Sequence, residues 1–236
     1  MRVLSLCVLL FFAIPVVAQN KQTPQPPDYK KIAQTIKDES SPWFYPKLYK
    51  RYQDDDTTLS LKDYHFLYYG YFFNKNYSAM GHISVYMDSL KEVGNKKIWL
   101  TEDKQNYLKY NLEILKDNPF QPSVLMRVYG AYRQLHDVAH ADVYLKKYRK
   151  LSDAILATGD GLTCETAYHV LNVSDEYSVL MYLGYKFGDG QSLTPDECDY
   201  LKIQKNDDNL KGVYFDVKQL FKGYSDMLNA GDKKSK

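Results

Sequence analysis

Residues 136–140 read His-Asp-Val-Ala-His. Two imidazoles at that spacing, on one continuous helical turn, can converge on a zinc ion, with an acid between them acting as general base. Here the acid is Asp137 rather than the usual Glu. The surrounding periodicity places a helix break at Asp137, so His136 and His140 straddle a turn, and no third ligand follows at a recognisable distance. They remain the candidate metal pair, and the competing reading is two solvent-facing turn residues. Cys164 and Cys198 are the second chemical pair: either a disulfide or two buried free thiols, since bonding needs Cα atoms within about 7 Å. A cysteine nucleophile with His169 is a third arrangement, but with five histidines in the chain some Cys/His pair arises by chance.

Other motifs carry less. Residues 159–161 and 188–190 both read Gly-Asp-Gly. A phosphate loop needs a strand before it, a helix after it and usually a lysine, so both read as tight turns demanding positive φ. Asp54, Asp55 and Asp56 lack the alternation, glycine and distant glutamate of a calcium loop and read as an acidic, solvated turn. No Gly-x-Ser-x-Gly is present. No residue is assigned a catalytic role, and no cofactor is expected.

The elements that position these residues begin with an expected export signal, residues 1–18: Arg2, an apolar run over 3–17 and a small-residue exit at Ala18. The run is too short to span a membrane, and no second one is long enough. Without the signal the chain is close to neutral, because the whole carries 31 basic and 29 acidic residues. That argues against a nucleic-acid binder. Export to an oxidising compartment favours the disulfide.

Residues 19–27 form a proline-rich leader with no means of packing. A helical part over residues 28–158 follows. Its centre is residues 59–77, LSLKDYHFLYYGYFFNKNY. Ser60 and Asp63 make a capping box, Leu59 and Tyr64 a hydrophobic staple, and the helix beyond is aromatic on every side, which places it amid neighbours. Helices are also expected at 29–37 with Asp28 as cap, at 45–52 with Pro46 in the first turn, at 83–94 closed by Gly94 in a left-handed cap, from Thr101, from Pro122 and through Ile155. The stripe of the helix from Thr101 is Tyr107 or Leu108, Leu112 and Leu115. The 23 tyrosines read as core and boundary packing, apolar rings with a polar tip.

From Gly159 the pattern changes to β-formers at 167–173, 200–203 and 212–217, with a helix over 174–183 and a terminal helix over 218–228. Thr194-Pro195-Asp196-Glu197 reads as a capping box promising a helical turn. The fold class is therefore mainly α with a small α+β C-terminal part at 159–229: antiparallel helical hairpins, then a short antiparallel sheet with one or two helices, and a loose tail at 230–236.

Two resemblances follow. Tyr132, Ala141, Leu145 and Tyr148, with His136-Asp137 at the turn and Gly130 one place out, resemble a degenerate tetratricopeptide repeat, echoed at Gly70, Phe73 and Tyr86. Over nearly all of the mature length the chain resembles an uncharacterised family of exported bacterial proteins, domain of unknown function 4919. Residues 45–49 (YPKLY), 63–65 and 67–71 within the aromatic helix, Gly159-Asp160-Gly161, 165–170 (ETAYHV), Asp175-Glu176-Tyr177, 198–201 and 214–217 carry it. The resemblance implies export in Gram-negative bacteria, to periplasm or medium, and no activity. The leading expectation is a non-catalytic interaction or assembly protein of the cell envelope, binding another envelope protein or a peptide. The alternative is a hydrolase, metal-dependent in one version, acting on polymers through His136, His140 or His169. A third is a strand-donating module using a free sheet edge.

Overall fold

The computed structural model describes residues 23–79 and 84–232, with side chains to residue 226. The export signal, the start of the leader, Ile83 and the last four residues lie outside the described residues.

Helix α3 (Leu61–Tyr71) is the element around which the others pack. Its entry is the expected box: Ser60 Oγ accepts the Asp63 N–H, and Asp63 Oδ2 accepts the Ser60 N–H at 2.8 Å. Seven of its eleven residues are buried, because α1 (Tyr29–Thr35), α2 (Tyr45–Gln53) and α7 (Val138–Leu156) all pack on it. Gly70 lets α2 approach α3 closely: a Cβ there would lie 2.9 Å from the Tyr45 ring. The tyrosines serve as apolar bodies whose hydroxyls find backbone carbonyls, Tyr52 on Pro119, Tyr71 on Asp117 and Tyr77 on Leu171, each at 2.8–2.9 Å.

Helices α4 (Met87–Gly94), α5 (Thr101–Asp117) and α6 (Pro122–Gln134) complete the helical part. Residues 135–137 join α6 to α7, which pack side by side as a helical hairpin. The expected break at Asp137 is there: His136 has φ 62°, and Asp137 caps α7 by accepting the His140 N–H. The echo at Gly70, Phe73 and Tyr86 falls on the end of α3 and the residues before α4. Gly94 is the last helical residue, not a left-handed cap; Asn95 caps with φ −81°. On α5 the buried stripe is rotated from the expected one, onto Asp103, Asn111 and Ile114. Asn111 is fully buried because it is satisfied, donating to the Tyr107 carbonyl and accepting from Arg127 of α6 at 2.7 Å.

The acidic triplet is not simply solvated. Asp54 pairs with Lys50, Asp56 with Arg51 and Thr58, and Asp55, at φ 59°, meets the buried Lys147 of α7. The leader also packs in its second half: Pro27 is buried and the Gln25 N–H donates to Ala157 O at 2.9 Å.

The C-terminal part is a four-stranded sheet in the order β1-β4-β3-β2, from β1 (Tyr168–His169), β2 (Phe187–Leu193), β3 (Cys198–Ile203) and β4 (Gly212–Asp216), with α8 (Val173–Tyr182) and α9 (Lys218–Asp232). The sheet is mixed rather than antiparallel, since β1 runs parallel to β4. Only two residues of the expected first strand pair, because α3 and the loop after it claim the next backbone groups: the Leu171 N–H donates to the Tyr68 hydroxyl and Leu171 O accepts from Tyr77. Gly188-Asp189-Gly190 is not a turn but part of β2, where the register against β3 slips between Phe187 and Gln191. There β3 runs close by: a Cβ at Gly188 would lie 3.2 Å from the Lys202 and Ile203 backbone, and one at Gly190 would meet the flexible Lys202 side chain at 2.8 Å. Residues 194–197 make the β2–β3 hairpin turn instead of a helical turn. The Thr194 hydroxyl accepts from the Cys198 N–H, and Glu197, at φ 59°, cannot propagate a helix.

One hydrophobic cluster runs from Ile32 of α1 through α3 and α7 to Phe215 and Leu220, so both parts share a core. A smaller cluster of Leu90, Ile114 and Val124 holds α4–α6. No described helix is long and apolar enough to cross a membrane.

Candidate functional site

The residues singled out by motif fall in separate places. His136 sits exposed at the hairpin turn. His140 lies in the first turn of α7, its Nδ1 2.7 Å from Asp137 Oδ2 and its ring stacked on Tyr132. Among the described residues no group of three His, Cys, Asp or Glu is placed to hold a metal ion. Cys164 and Cys198 are joined as a disulfide with Cα atoms 5.7 Å apart, tying the loop after α7 to the start of β3. Neither is then a free nucleophile. His169, on β1, is half-buried: its Nδ1 is 3.8 Å from Asp216 Oδ1, and Lys218 stands 3.4 Å from the other Asp216 oxygen.

A cleft of about 610 Å³ lies elsewhere, walled by α1, the first turns of α3 and the end of α7, with the leader across its rim. Local sequence builds it. Asp63, at the third position of α3, spends one oxygen on the Ser60 amide and turns the other to Trp43, whose Nε1–H donates to it at 3.1 Å. Trp43 is thereby fixed against Phe66, ring on ring at 4.7 Å, and the Lys62 ammonium lies 4.2 Å from its ring centre. Leu61, Lys62, His65 and Phe66 share one face of α3, spaced by three and four residues. Burial first, then the neighbouring His169 and Lys62, pushes His65 down to about 4, so its imidazole is neutral at neutral pH. The shared face of α3 was readable in the sequence; the approach of Trp43 from twenty residues upstream was not.

A second feature is helix α8, which buries its two charges together with Val179 and Leu180 and leaves a second apolar face outside. Its two carboxylates, Asp175 and Glu176, are fully buried, while Val173, Tyr177 and Met181, four residues apart, are 36%, 38% and 52% exposed. Phe187 of β2 extends this face, its ring 5.2 Å from that of Tyr177. Asp175 accepts the Tyr68 hydroxyl at 2.6 Å, and burial lifts its pKa to about 7. Glu176 rises to about 9, through burial first and then the charge of Asp199. Gln191 of β2 bridges this carboxyl pair, 2.8 Å from Asp199 and 3.4 Å from Glu176, and accepts from the Tyr177 hydroxyl. One oxygen of each buried acid, Asp175 Oδ1 and Glu176 Oε1, has no hydrogen-bond partner among the described residues.

No curated protein and no solved structure matches this chain. The resemblance noted in the sequence holds at family level: residues 30–226 match the family model described as domain of unknown function (DUF4919), and the chain belongs to that family.

Proposed function

We propose that this is a non-catalytic interaction module of the bacterial cell envelope, docking a protein partner through the outer face of α8. The carrying observation is the apolar face that α8 leaves exposed while its core face holds Val179, Leu180 and both carboxylates. An amphipathic surface helix keeps its charges in water and its apolar stripe inside. Here both charges are inside and the stripe Val173–Tyr177–Met181, joined by Phe187, faces out. Apolar groups clustered on a surface mark interaction sites, and aromatic and methionine side chains are enriched in interfaces. The tetratricopeptide-like spacing of the α6–α7 hairpin and the export reading agree with such a role, and the Cys164–Cys198 bond suits an oxidising compartment. The free edge of β2 is a poor template for strand addition, because its bulge breaks the register. Docking through side chains suits it better.

The test is crosslinking and affinity capture of the tagged mature protein from its own cell envelope, beside a Tyr177→Ser/Met181→Ser variant. One reproducible protein partner lost in the variant supports the reading. A partner retained by the variant, or a repeated blank, defeats it.

A further inference from the structure

We propose that the cleft between α1, α3 and the end of α7 binds an organic anion, a small ligand with an apolar body and one carboxylate-type group, whose charge is received by Lys31 and Lys62. This site is separate from the α8 face. At about 610 Å³ the cleft has the size of pockets that bury a whole small-molecule ligand. Ile32, Leu61, Phe66, Ala154 and Ala157 give it an apolar lining, matching the body of such a ligand.

Its charge is one-sided. Lys31 and Lys62 line it against a single acid, Asp28, and that carboxylate is already engaged as the α1 cap, accepting the Lys31 N–H at 2.9 Å. Neither lysine has a carboxylate within ion-pair distance among the described residues. Lys62 is instead held over the Trp43 ring. A cation resting on an aromatic face at the edge of an apolar cleft gains from an anion brought beside it, since partial exclusion of water strengthens the pair. The wall is preorganised: Asp63 fixes Trp43 and Phe66 stacks on it, so binding costs little ordering. Burial keeps His65 neutral, so the lysines alone receive the ligand's charge and His65 leaves a polar ring edge on the lining. A neutral ligand of the same shape forgoes the lysines, and a cation is repelled by them.

Dodecanoate is the probe, with dodecanol and dodecyltrimethylammonium as chain-matched controls, all below their micellar concentrations. They are titrated into the full mature protein by calorimetry. Trp43 emission is followed in a Trp99→Phe background, Trp99 being the only other tryptophan. The expected result is one dodecanoate site per chain that perturbs Trp43, with dodecanol weaker by about two- to fivefold, as for loss of one partly exposed ion pair, and the cation weaker still. Lys31→Gln/Lys62→Gln brings dodecanoate down to dodecanol, and Thr35→Trp, which intrudes on the cleft from α1, weakens binding of every probe by calorimetry. Equal affinity for all three probes, no binding of dodecanoate, or affinity unchanged by Thr35→Trp overturns the assignment.

Discussion

The Tyr68 hydroxyl donates to Asp175 Oδ2 at 2.6 Å, joining the central helix of the N-terminal part to the first turn of α8 across 107 residues. The same oxygen accepts the Leu171 N–H at 2.9 Å. One hydroxyl thus satisfies a buried carboxyl and a buried amide where the two parts of the chain meet. Tyr68→Phe leaves both without that partner, and each orphaned buried group costs about 1–3 kcal/mol. The expected loss in urea unfolding is about 2–4 kcal/mol, well above the small change for a tyrosine hydroxyl in water. A loss under 0.5 kcal/mol, on a scale where surface changes stay within about that amount, removes Tyr68 from this role.

Asp175 and Glu176 make stability fall as pH rises. Both have folded pKa values raised above the unfolded carboxyl range, to about 7 and about 9. Their contribution is therefore complete below about pH 4 and is lost as pH climbs through those folded values. His65 and His169, lowered by burial, act in the opposite sense, but both are neutral in folded and unfolded states well above pH 6.5. The window from pH 7 to 9 therefore isolates the carboxyls. The urea midpoint is expected to drop across it, and Glu176→Gln, which cannot ionise beside Asp199, is expected to flatten the drop. An unchanged slope in Glu176→Gln assigns the pH dependence to other groups.

What the sequence disclosed is what short-range chemistry decides. The Ser60–Asp63 box, the Asp28 cap and the break at His136–Asp137 all rest on residues within a few positions of one another, and all are present. Where a motif had two local solutions, a distant partner chose. Thr194-Pro195-Asp196-Glu197 became a hairpin turn because Cys198 is already in β3 and bonded to Cys164. Residues 188–190 entered β2 because β3 offers them a partner strand, with the register slipping between Phe187 and Gln191. The cleft and the α8 face were illegible for the same reason: Trp43 reaches Phe66 only through Asp63, and no rule of spacing says that an Asp-Glu pair in a helix's first turn will face inward.

Gly70 sets how closely the helices pack behind the cleft. In a helix interior, alanine is ordinarily better than glycine by about 1 kcal/mol. At this position the added Cβ would meet the Tyr45 ring at 2.9 and 3.1 Å, with Ile36 at 3.4 Å. Overpacking of this kind typically costs about 1–3 kcal/mol, so Gly70→Ala is expected to lower the thermal midpoint despite the gain in helix propensity. A higher midpoint in Gly70→Ala means that Tyr45 can swing aside without loss.

The Cys164–Cys198 bond closes a loop with a sequence separation of 34. Loop closure of that length restrains the unfolded chain by about 3–4 kcal/mol in the chain-entropy account. Reduction, or Cys164→Ser, is expected to lower stability by about 2–4 kcal/mol, and the effect is expected to vanish under reducing conditions, where wild type and variant converge. Cys198→Ser is the less clean test, since Cys198 is fully buried at the start of β3 and a hydroxyl there adds its own cost. Persistence of the difference in reductant places the effect in packing at Cys164 rather than in the bond.

Lys147 is the one lysine buried in α7, its ammonium against Asp55 and 4.3 Å from the centre of the Tyr52 ring. Burial pulls its pKa down, and Asp55 opposes that shift. The fold therefore needs the carboxylate less for its own sake than to keep this cation from being left alone inside. Asp55 also holds φ 59°, a conformation asparagine tolerates, so Asp55→Asn removes the charge with little backbone penalty. Stranding a buried charge costs more than its pairing gains. With Asp55 40% exposed and water able to help, the expected loss is about 1–3 kcal/mol. Lys147→Met, which takes away the cation and keeps the packing, is expected to be nearly neutral and to rescue Asp55→Asn in the double variant. If the two single losses simply add, Lys147 and Asp55 act independently and the pair is not what holds α7 to the turn after α2.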